Sequence, residues 1–329
     1  MPWSRVRGLT RAAVAHGAAR LRGRDHLTSV TIFLTLRCNC SCGYCDFPGM
    51  DRGADWDGDQ FLRLLGGLSR HGTARVGLSG GEPLLHPQFD RIAAAAGSHG
   101  FLTSLVTNGI LLGEHLESAS ALDYVLCTIE GTAEIHDGVR GRGAYDAAMA
   151  GMHALAVCGR TRLGIICPVH RGNAGQIDEV LRVAEHLGAR CFFQPVQLRG
   201  SWTGGAFPGV MGDSETREVF RRLLELRRSG RPVGNSPAYL RWVEGGFPRR
   251  FEERCFAGRY FHTILPDGVL LPCCMVDWEI HQAPLDADHP GRALGAGKPS
   301  CGGCTILPYV ENTMLLRPSP WALGNALRW

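Results

Sequence analysis

Cys38, Cys42 and Cys45 fall in the stretch Arg37-Cys38-Asn39-Cys40-Ser41-Cys42-Gly43-Tyr44-Cys45, directly after an apolar, β-branched run. A compact loop can turn three thiolates at this spacing toward one metal centre. Three is the informative number. An iron–sulfur cubane has four irons, so three cysteines leave one iron open for an exchangeable ligand. A structural zinc ion wants a fourth ligand nearby, and Cys40 could fill that role, so spacing alone keeps zinc open. A second set comes late in the chain, as C-x12-G-x4-C … C-x2-C over Cys255, Gly268, Cys273, Cys301 and Cys304. This reads as a hairpin with two ligands at its base, closed by a C-x2-C loop. Four thiolates complete a tetrahedral set for zinc or for an iron–sulfur cluster. Cys274 adjoins Cys273, but the count from Gly268 lands on Cys273.

The elements that must position these residues alternate between strand and helix. Apolar runs recur at 29–36, 74–79, 101–107, 124–129, 163–167 and 191–195. Helical patterns lie between them at 57–70, 88–99, 113–120, 144–158 and 176–187. Continuous apolar strands alternating with helices imply a parallel sheet buried on both faces. Six such units predict an α/β fold with a partial (β/α)6 barrel, whose site lies at the carboxyl ends of the strands. After residue 196 a Gly-rich loop leads to a helix at 214–229. The turn Pro266-Asp267-Gly268 then joins strands at 261–265 and 269–271 into a hairpin. The expected organisation is a basic N-terminal helix (1–28), the barrel (29–212), a linker helix and loop (213–250) and a small cysteine-rich domain (251–329).

Composition bounds the function. The 329 residues are 44% hydrophobic, enough to bury a real core. A net charge of +4 is too weak to point to nucleic acid. No apolar run approaches the ~18 residues of a membrane span, and arginines interrupt every early apolar run that a signal peptide would need. Thirteen cysteines, an odd number, without a secretion signal suit a reducing cytoplasm and metal ligation better than disulfides. Arg5, Arg7, Arg11, Arg20, Arg22 and Arg24 precede the first acid, Asp25. That segment reads as a solvated helix on the main domain, or as a contact with an anionic membrane surface or acidic substrate.

Two further motifs follow strands. In Ser79-Gly80-Gly81-Glu82-Pro83, small residues let the backbone approach a ligand and a carboxylate can pair with an ammonium group. Thr107-Asn108-Gly109 ends the third strand and reads alone as a turn. With the cysteines, these motifs resemble the radical S-adenosylmethionine (SAM) superfamily. Its signature is C-x3-C-x2-C after the first strand, with an aromatic residue, here Tyr44, before the last cysteine. The resemblance covers residues 29–196 and implies that SAM chelates the open iron. One electron then cleaves SAM to methionine and a 5′-deoxyadenosyl radical, which abstracts hydrogen from a substrate; Cys40 becomes a bystander. Gly80, Gly81 and Glu82 resemble the family's GGE motif at the methionine amino group, and Thr107 and Asn108 its T-N-G. Thr128-Ile129-Glu130-Gly131 resembles S-[IL]-D-G, whose polar side chains hold the ribose, with both polar positions substituted here. His136, Asp137 and Arg140 resemble H-D-x-x-R, which assigns Arg140 to the SAM carboxylate.

The late cysteines resemble the SPASM/twitch extension. No cysteine follows Cys304, which suits the shorter twitch form with one auxiliary [4Fe–4S] cluster and makes two clusters in all. Four protein ligands leave no open iron, so that cluster would relay electrons. The expected reaction is therefore a two-electron dehydrogenation of a small molecule such as a sugar or cyclitol, with a reducing electron-transfer protein as partner. The alternatives are a radical epimerase, a maturase of ribosomal peptides and modification of a lipid-linked substrate. Only 28 residues precede the first strand, too few for a leader-peptide domain, which counts against the peptide alternative. Glu311, His170 and Arg199 are candidate bases on position alone. Cys127, Cys158, Cys167 and Cys191 read as small apolar residues, although one of them, or Cys274, could donate hydrogen to a substrate radical in an epimerase. The non-enzymatic rival is an electron-transfer or zinc-binding regulatory protein, which leaves the barrel and Gly80–Glu82 unexplained.

Overall fold

A computed structural model of the chain describes residues 23–50, 53–196, 207–246, 255–275, 282–295 and 306–315, together with Thr10, 14–15, 17–19, Leu21 and Trp278. Cys301, Cys304, Arg199 and most of the basic N-terminal segment lie outside the described residues.

Six parallel strands form the wall of the partial barrel: β1 (Ser29–Phe33), β2 (Arg75–Ser79), β3 (Leu102–Thr107), β4 (Tyr124–Thr128), β5 (Arg162–Val169) and β6 (Arg190–Pro195). Each pairs in parallel with the next in chain order. The packed helices are α1 (Gly58–His71), α2 (Phe89–Ser98), α3 (Leu116–Ser120), α4 (Ala133–Arg140), α5 (Ala144–Cys158) and α6 (Ile177–His186). Every crossover therefore delivers the chain back to the same end of the sheet, and all six carboxyl ends share one rim.

Helix α1 shows how the sequence builds this layer. Asp57 caps it, accepting from Gln60 N, and the Gln60 side chain returns to the Asp57 backbone, which closes a capping box. Gly72, at φ 90°, ends it in the left-handed conformation. Phe61, Leu64, Leu65 and Leu68 repeat at helical spacing and are fully buried. Each contributes roughly 1.5–3 kcal/mol by leaving water.

Strand β1 ends at Phe33, short of the expected residue 36. Leu34 still donates to Ser79 O, but Thr35 and Arg37 offer their carbonyls sideways to Gly81 and Glu82 and so begin the cysteine loop. The expected helix at 113–120 shortens to the five residues of α3. The expected helix at 214–229 is α7 (Asp213–Arg228). Three further helices had no helical assignment from sequence: α4, α8 (Pro237–Glu244) and α9 (Leu307–Leu315). Helix α8 carried a legible start, Ser236 capping Tyr239 N with Pro237 in the first turn.

The expected hairpin forms as β7 (Phe261–Ile264) and β8 (Val269–Leu271), with the short β9 (Ala283–Pro284) beyond it. It joins the barrel's own sheet. Strand β7 runs parallel to β1, Ser29 facing Phe261, and the sheet order is β6-β5-β4-β3-β2-β1-β7-β8-β9. Ala19, from the N-terminal segment, is buried beside Ala257, Tyr260 and Phe261, whereas Leu21 is 91% exposed. Among the described residues no helix is long and apolar enough to cross a membrane.

Near the amino ends of β1 and β7, His26 stacks on His71 at 4.5 Å, and His262 is buried within their electrostatic reach. Burial depresses His71 and His262 to about 4, and it does the same to His136 on α4. All three are neutral in the fold and take up protons on unfolding below about 6.5. Their contribution to stability is therefore complete above that pH and is lost as pH falls toward 4. A melting-temperature series across this window should fall steeply toward acid. His262→Gln, which removes one of the three protons taken up, should flatten the slope.

Candidate functional site

The cysteine loop leaves the carboxyl end of β1 and is shaped by the turn after β2. Gly81 N donates to Thr35 O and Glu82 N to Arg37 O, both at 2.8 Å. The approach is so close that a Cβ on Gly80 would lie 2.3 Å from Thr35 O, and one on Gly81 would lie 2.3 Å from Arg37 O. Gly80 also has φ +138°, a conformation that side chains disfavour. Here the glycines serve backbone against backbone, whatever they also do for a ligand.

Glu82 is fully buried between this turn and the end of β3. Its Oε1 accepts from Thr107 Oγ1 at 2.8 Å and from Leu84 N at 3.1 Å; its Oε2 accepts from Asn108 N at 2.7 Å. Burial nonetheless raises its pKa to about 7. Asn108 reaches the loop directly, its Nδ2 donating to Asn39 Oδ1 at 2.6 Å and to Cys40 Sγ at 3.4 Å. Thr107, Asn108 and Glu82 are thus one connected unit against the cysteines. Gly109 turns away at φ +87°, with no room for a Cβ beside Cys127 Sγ.

Within the loop, Cys45 N donates to Cys42 O at 2.9 Å, and Cys38 Sγ accepts from Cys40 N at 3.4 Å. Hydrogen bonding from the Cys40 thiol lowers Cys38 to about 6 and Cys42 to about 7, and those same bonds hold Cys40 itself well above the usual thiol range. Burial raises Cys45 to about 11. Cys38 and Cys42 therefore carry the thiolate character a soft metal needs, and Cys40 keeps its proton. Among the described residues no three His, Cys, Asp or Glu side chains converge on the point a single ion would occupy. A cubane asks for less, since each thiolate binds its own iron, and the donor set fits that group.

A buried polar network closes the other side. Glu130, just past β4, is fully buried. Its Oε1 accepts from Tyr44 Oη at 2.5 Å and from Arg140 Nη2 and Nε at 2.8 and 3.0 Å. Its Oε2 accepts from Asn173 Nδ2 at 3.1 Å. Burial alone would raise the Glu130 carboxyl, but Arg140, with hydrogen bonds from its neighbours, brings it below the ordinary value. The ribose and carboxylate roles expected of Glu130 and Arg140 treated them as separate contacts; the two side chains face each other. Arg140 Nη1 takes no part in this network. Thr128, also assigned to the ribose by resemblance, is buried at the end of β4.

Of the three candidate bases, the site contains His170. Its Nδ1 accepts from Gly172 N at 3.1 Å, which assigns the proton to Nε2, 3.6 Å from Glu130 Oε2. In that tautomer the Nε2 proton faces Glu130 beyond hydrogen-bond distance, and Nδ1 is occupied by the Gly172 amide. Glu311 is committed elsewhere, accepting from Ser236 N at 2.7 Å at the start of α8. Two residues given no site role from sequence matter here. Asn173 ties Glu130 to the turn after β5, and Phe207 packs edge-on against both Tyr44 and His170. Neither lies in a motif. Asn173 had only its place in a Gly-Asn turn to mark it.

At the hairpin, Cys255 and Cys273 border one small apolar cluster with Tyr260 and Phe261. Each sulfur accepts a backbone N–H from two residues on: Ala257 N at 3.4 Å and Met275 N at 3.3 Å. Cys274 packs against the edge of that cluster and also against a second one, with Phe33, Phe47 and Trp278, and its carbonyl accepts from Trp278 Nε1.

A model of the radical SAM superfamily matches residues 32–184. The mycofactocin maturase MftC of Mycobacterium tuberculosis (strain CDC 1551 / Oshkosh) is 30% identical over 173 residues, 51% of this chain and 44% of that protein. The PqqA peptide cyclase of Rhizobium meliloti (strain 1021) is 29% identical over 253 residues, 73% of this chain and 65% of that protein. The chain thus spans 44–65% of the length of these curated relatives. Among solved structures, Streptococcus suis SuiB bound to S-adenosylmethionine superposes with a TM-score of 0.68 at 14% identity. The match covers 82% of this chain and 65% of that one. SuiB has also been solved bound to its precursor peptide SuiA.

The close approach at Gly80–Gly81 carries a direct consequence. Gly81→Ala puts a methyl group against two carbonyl oxygens and should cost about 1–3 kcal/mol. A lower melting temperature, together with reduced iron uptake on anaerobic reconstitution, checks both the strain and its effect on the loop.

Proposed function

Because this chain belongs to the radical SAM superfamily, and because its three-cysteine loop sits on the common rim with the buried Glu82 and Arg140 beside it, we propose that it is a radical SAM maturase acting on a peptide. Cys38, Cys42 and Cys45 hold the [4Fe–4S] cluster. That cluster, when bound with SAM, supplies the electron that yields the 5′-deoxyadenosyl radical. Glu82, fixed by Thr107, Leu84 and Asn108, retains acceptor capacity for the ammonium group of the methionine moiety. Arg140 Nη1 is available for the methionine carboxylate. Thr107 and Asn108 act by holding Glu82 and the cysteine loop, and Tyr44 and Phe207 wall off the side toward β5.

Cys255, Cys273, Cys301 and Cys304 are proposed as ligands of a second, auxiliary cluster. Support for Cys273 over Cys274 is its burial as a member of the apolar cluster that Cys255 packs against, and the matching backbone N–H to the Cys255 and Cys273 sulfurs. A fully ligated cluster suits a reaction that ends with an electron leaving the substrate, so the peptide would undergo net oxidation.

The observation that favours a peptide over a sugar or cyclitol is the company the chain keeps. The relatives reported above carry a maturase, a peptide cyclase and a precursor-peptide complex in their names. The decisive experiment is anaerobic reconstitution, reduction, and measurement of 5′-deoxyadenosine with pooled synthetic peptides or with pooled cyclitols and aminoglycosides. Peptide-stimulated product, with loss of two hydrogens from one peptide by mass spectrometry, is the expected result. Stimulation by the sugar pool alone would overturn the peptide reading. Product undiminished in Cys42→Ala would overturn the cluster assignment.

The position of Glu82 predicts a pH dependence. Its pKa of about 7 means that below this pH the carboxyl is protonated and cannot pair with an ammonium group. SAM affinity of the reconstituted protein, measured by equilibrium dialysis, should therefore tighten as pH rises through about 7 and level off above it.

A further inference from the structure

We propose that Glu130 is a positioning residue for the cysteine loop: its carboxylate neutralises Arg140 and, through the Tyr44 hydroxyl, fixes the Tyr44–Cys45 end of the loop, keeping the net charge beside the cluster near zero. This rests on the cluster reading above and changes the expected role of residue 130, which by resemblance would have met the ribose.

The argument starts from acceptor capacity. A carboxylate offers about four lone-pair sites. Three of the donors to Glu130 converge on Oε1, from Tyr44 and twice from Arg140, and Asn173 takes Oε2. His170 Nε2 stands 3.6 Å from Oε2 and covers its remaining side. Glu130 and Arg140 are both buried, and their side chains are 0% and 8% exposed. A buried ion pair with its hydrogen bonds satisfied is stable as a unit, whereas either partner alone would be an uncompensated charge.

Length explains why this position is glutamate. Tyr44 belongs to the cysteine loop and Glu130 to the end of β4, so the bond between them crosses the site. An aspartate would fall short by one methylene, about 1.5 Å, enough to break a 2.5 Å contact. The extra carbon lets one carboxylate hold Tyr44 and Arg140 together. Arg140 in turn donates from Nη2 to Tyr44 Oη at 2.8 Å, closing a three-membered ring of bonds.

Charge gives the network a second effect. The buried Arg140 guanidinium lies against the cysteine loop, its Nη2 2.8 Å from the hydroxyl of Tyr44, the neighbour of Cys45, and Glu130 is bonded to that same guanidinium at 2.8 and 3.0 Å. A reduced cluster carries one more negative charge than an oxidised one, so an unopposed cation nearby favours reduction. By cancelling Arg140, Glu130 would keep a bound cluster at a lower potential than an unopposed guanidinium would allow.

The test separates charge from reach. Glu130→Gln keeps the length and removes the charge; Glu130→Asp keeps the charge and removes the reach; Tyr44→Phe removes only the hydroxyl. Each is reconstituted, iron is counted, and the midpoint potential is followed on the cluster signal that responds to added SAM. We expect Glu130→Gln to retain iron and shift the potential positive. Glu130→Asp should hold the wild-type potential but, like Tyr44→Phe, retain less iron. An unshifted Glu130→Gln potential, or the same shift in both Glu130 variants, would overturn the charge role. Wild-type iron retention in Tyr44→Phe would overturn the positioning role. That variant, which leaves the ion pair intact, also keeps the proposal testable if the Glu130 variants fail to fold. No peptide is present in these measurements, so failure to find a peptide substrate leaves them standing. Wild-type protein without a SAM-responsive signal would overturn the cluster reading and this proposal with it.

Discussion

The backbone contact between the turn after β2 and the chain leaving β1 governs the rest of the site. Thr35 and Arg37 carbonyls are met by the amides of Gly81 and Glu82, with no room for a side chain between them. That contact ends β1 early and bends the chain into the cysteine loop. It also sets Glu82 under Thr107 and Asn108. The three-cysteine pattern supplies thiols, and this contact aims them. A loop held by amide–carbonyl bonds to its neighbour has a shape before any metal arrives, which lowers the ordering cost that metal binding would otherwise carry.

Around this contact the polar groups are organised in two buried layers. One centres on Glu82 and reaches Asn39 and Cys40 through Asn108. The other centres on Glu130 and reaches Tyr44. They differ in kind. Glu82 meets only neutral donors and its pKa climbs, whereas Glu130 faces a guanidinium and its pKa falls. Two carboxylates at one rim are thereby driven apart, one ready to gain a cationic partner and one already supplied with its own.

Much of this was legible in the sequence, for identifiable reasons. The strand runs are continuous and β-branched because both faces are covered, and α1, α6 and α7 carry strong helical periodicity. The Gly-Gly-Glu and Thr-Asn-Gly turns stood out because small residues and turn dipeptides mark close approaches. What escaped reading was long-range pairing. Nothing local says that the arginine of α4 would turn onto Glu130 instead of outward, or that Asn173 and Phe207 would close the same corner. The parallel pairing of β7 with β1 was equally hidden, since a hairpin motif specifies its own register and not its neighbour. Helix α4 escaped because its eight residues include Gly138 and bury only His136 and Arg140. Two turns whose buried residues are a histidine and an arginine offer too few apolar positions to mark a helix in sequence.

That shared strand edge has a consequence of its own. Strand β1 runs out into the first cysteine loop, and β7, bonded along its flank, belongs to the hairpin that Cys255 and Cys273 bracket. The two thiol groups are therefore anchored to adjacent strands of one ladder, the first past the carboxyl end of β1 and the second near the amino end of β7. Anything that strips one end, such as oxygen, a chelator or a failed assembly step, loosens a strand on which the other depends. Maturation and oxidative damage in this protein should accordingly behave as events of the whole sheet, with half-loaded molecules scarce at equilibrium.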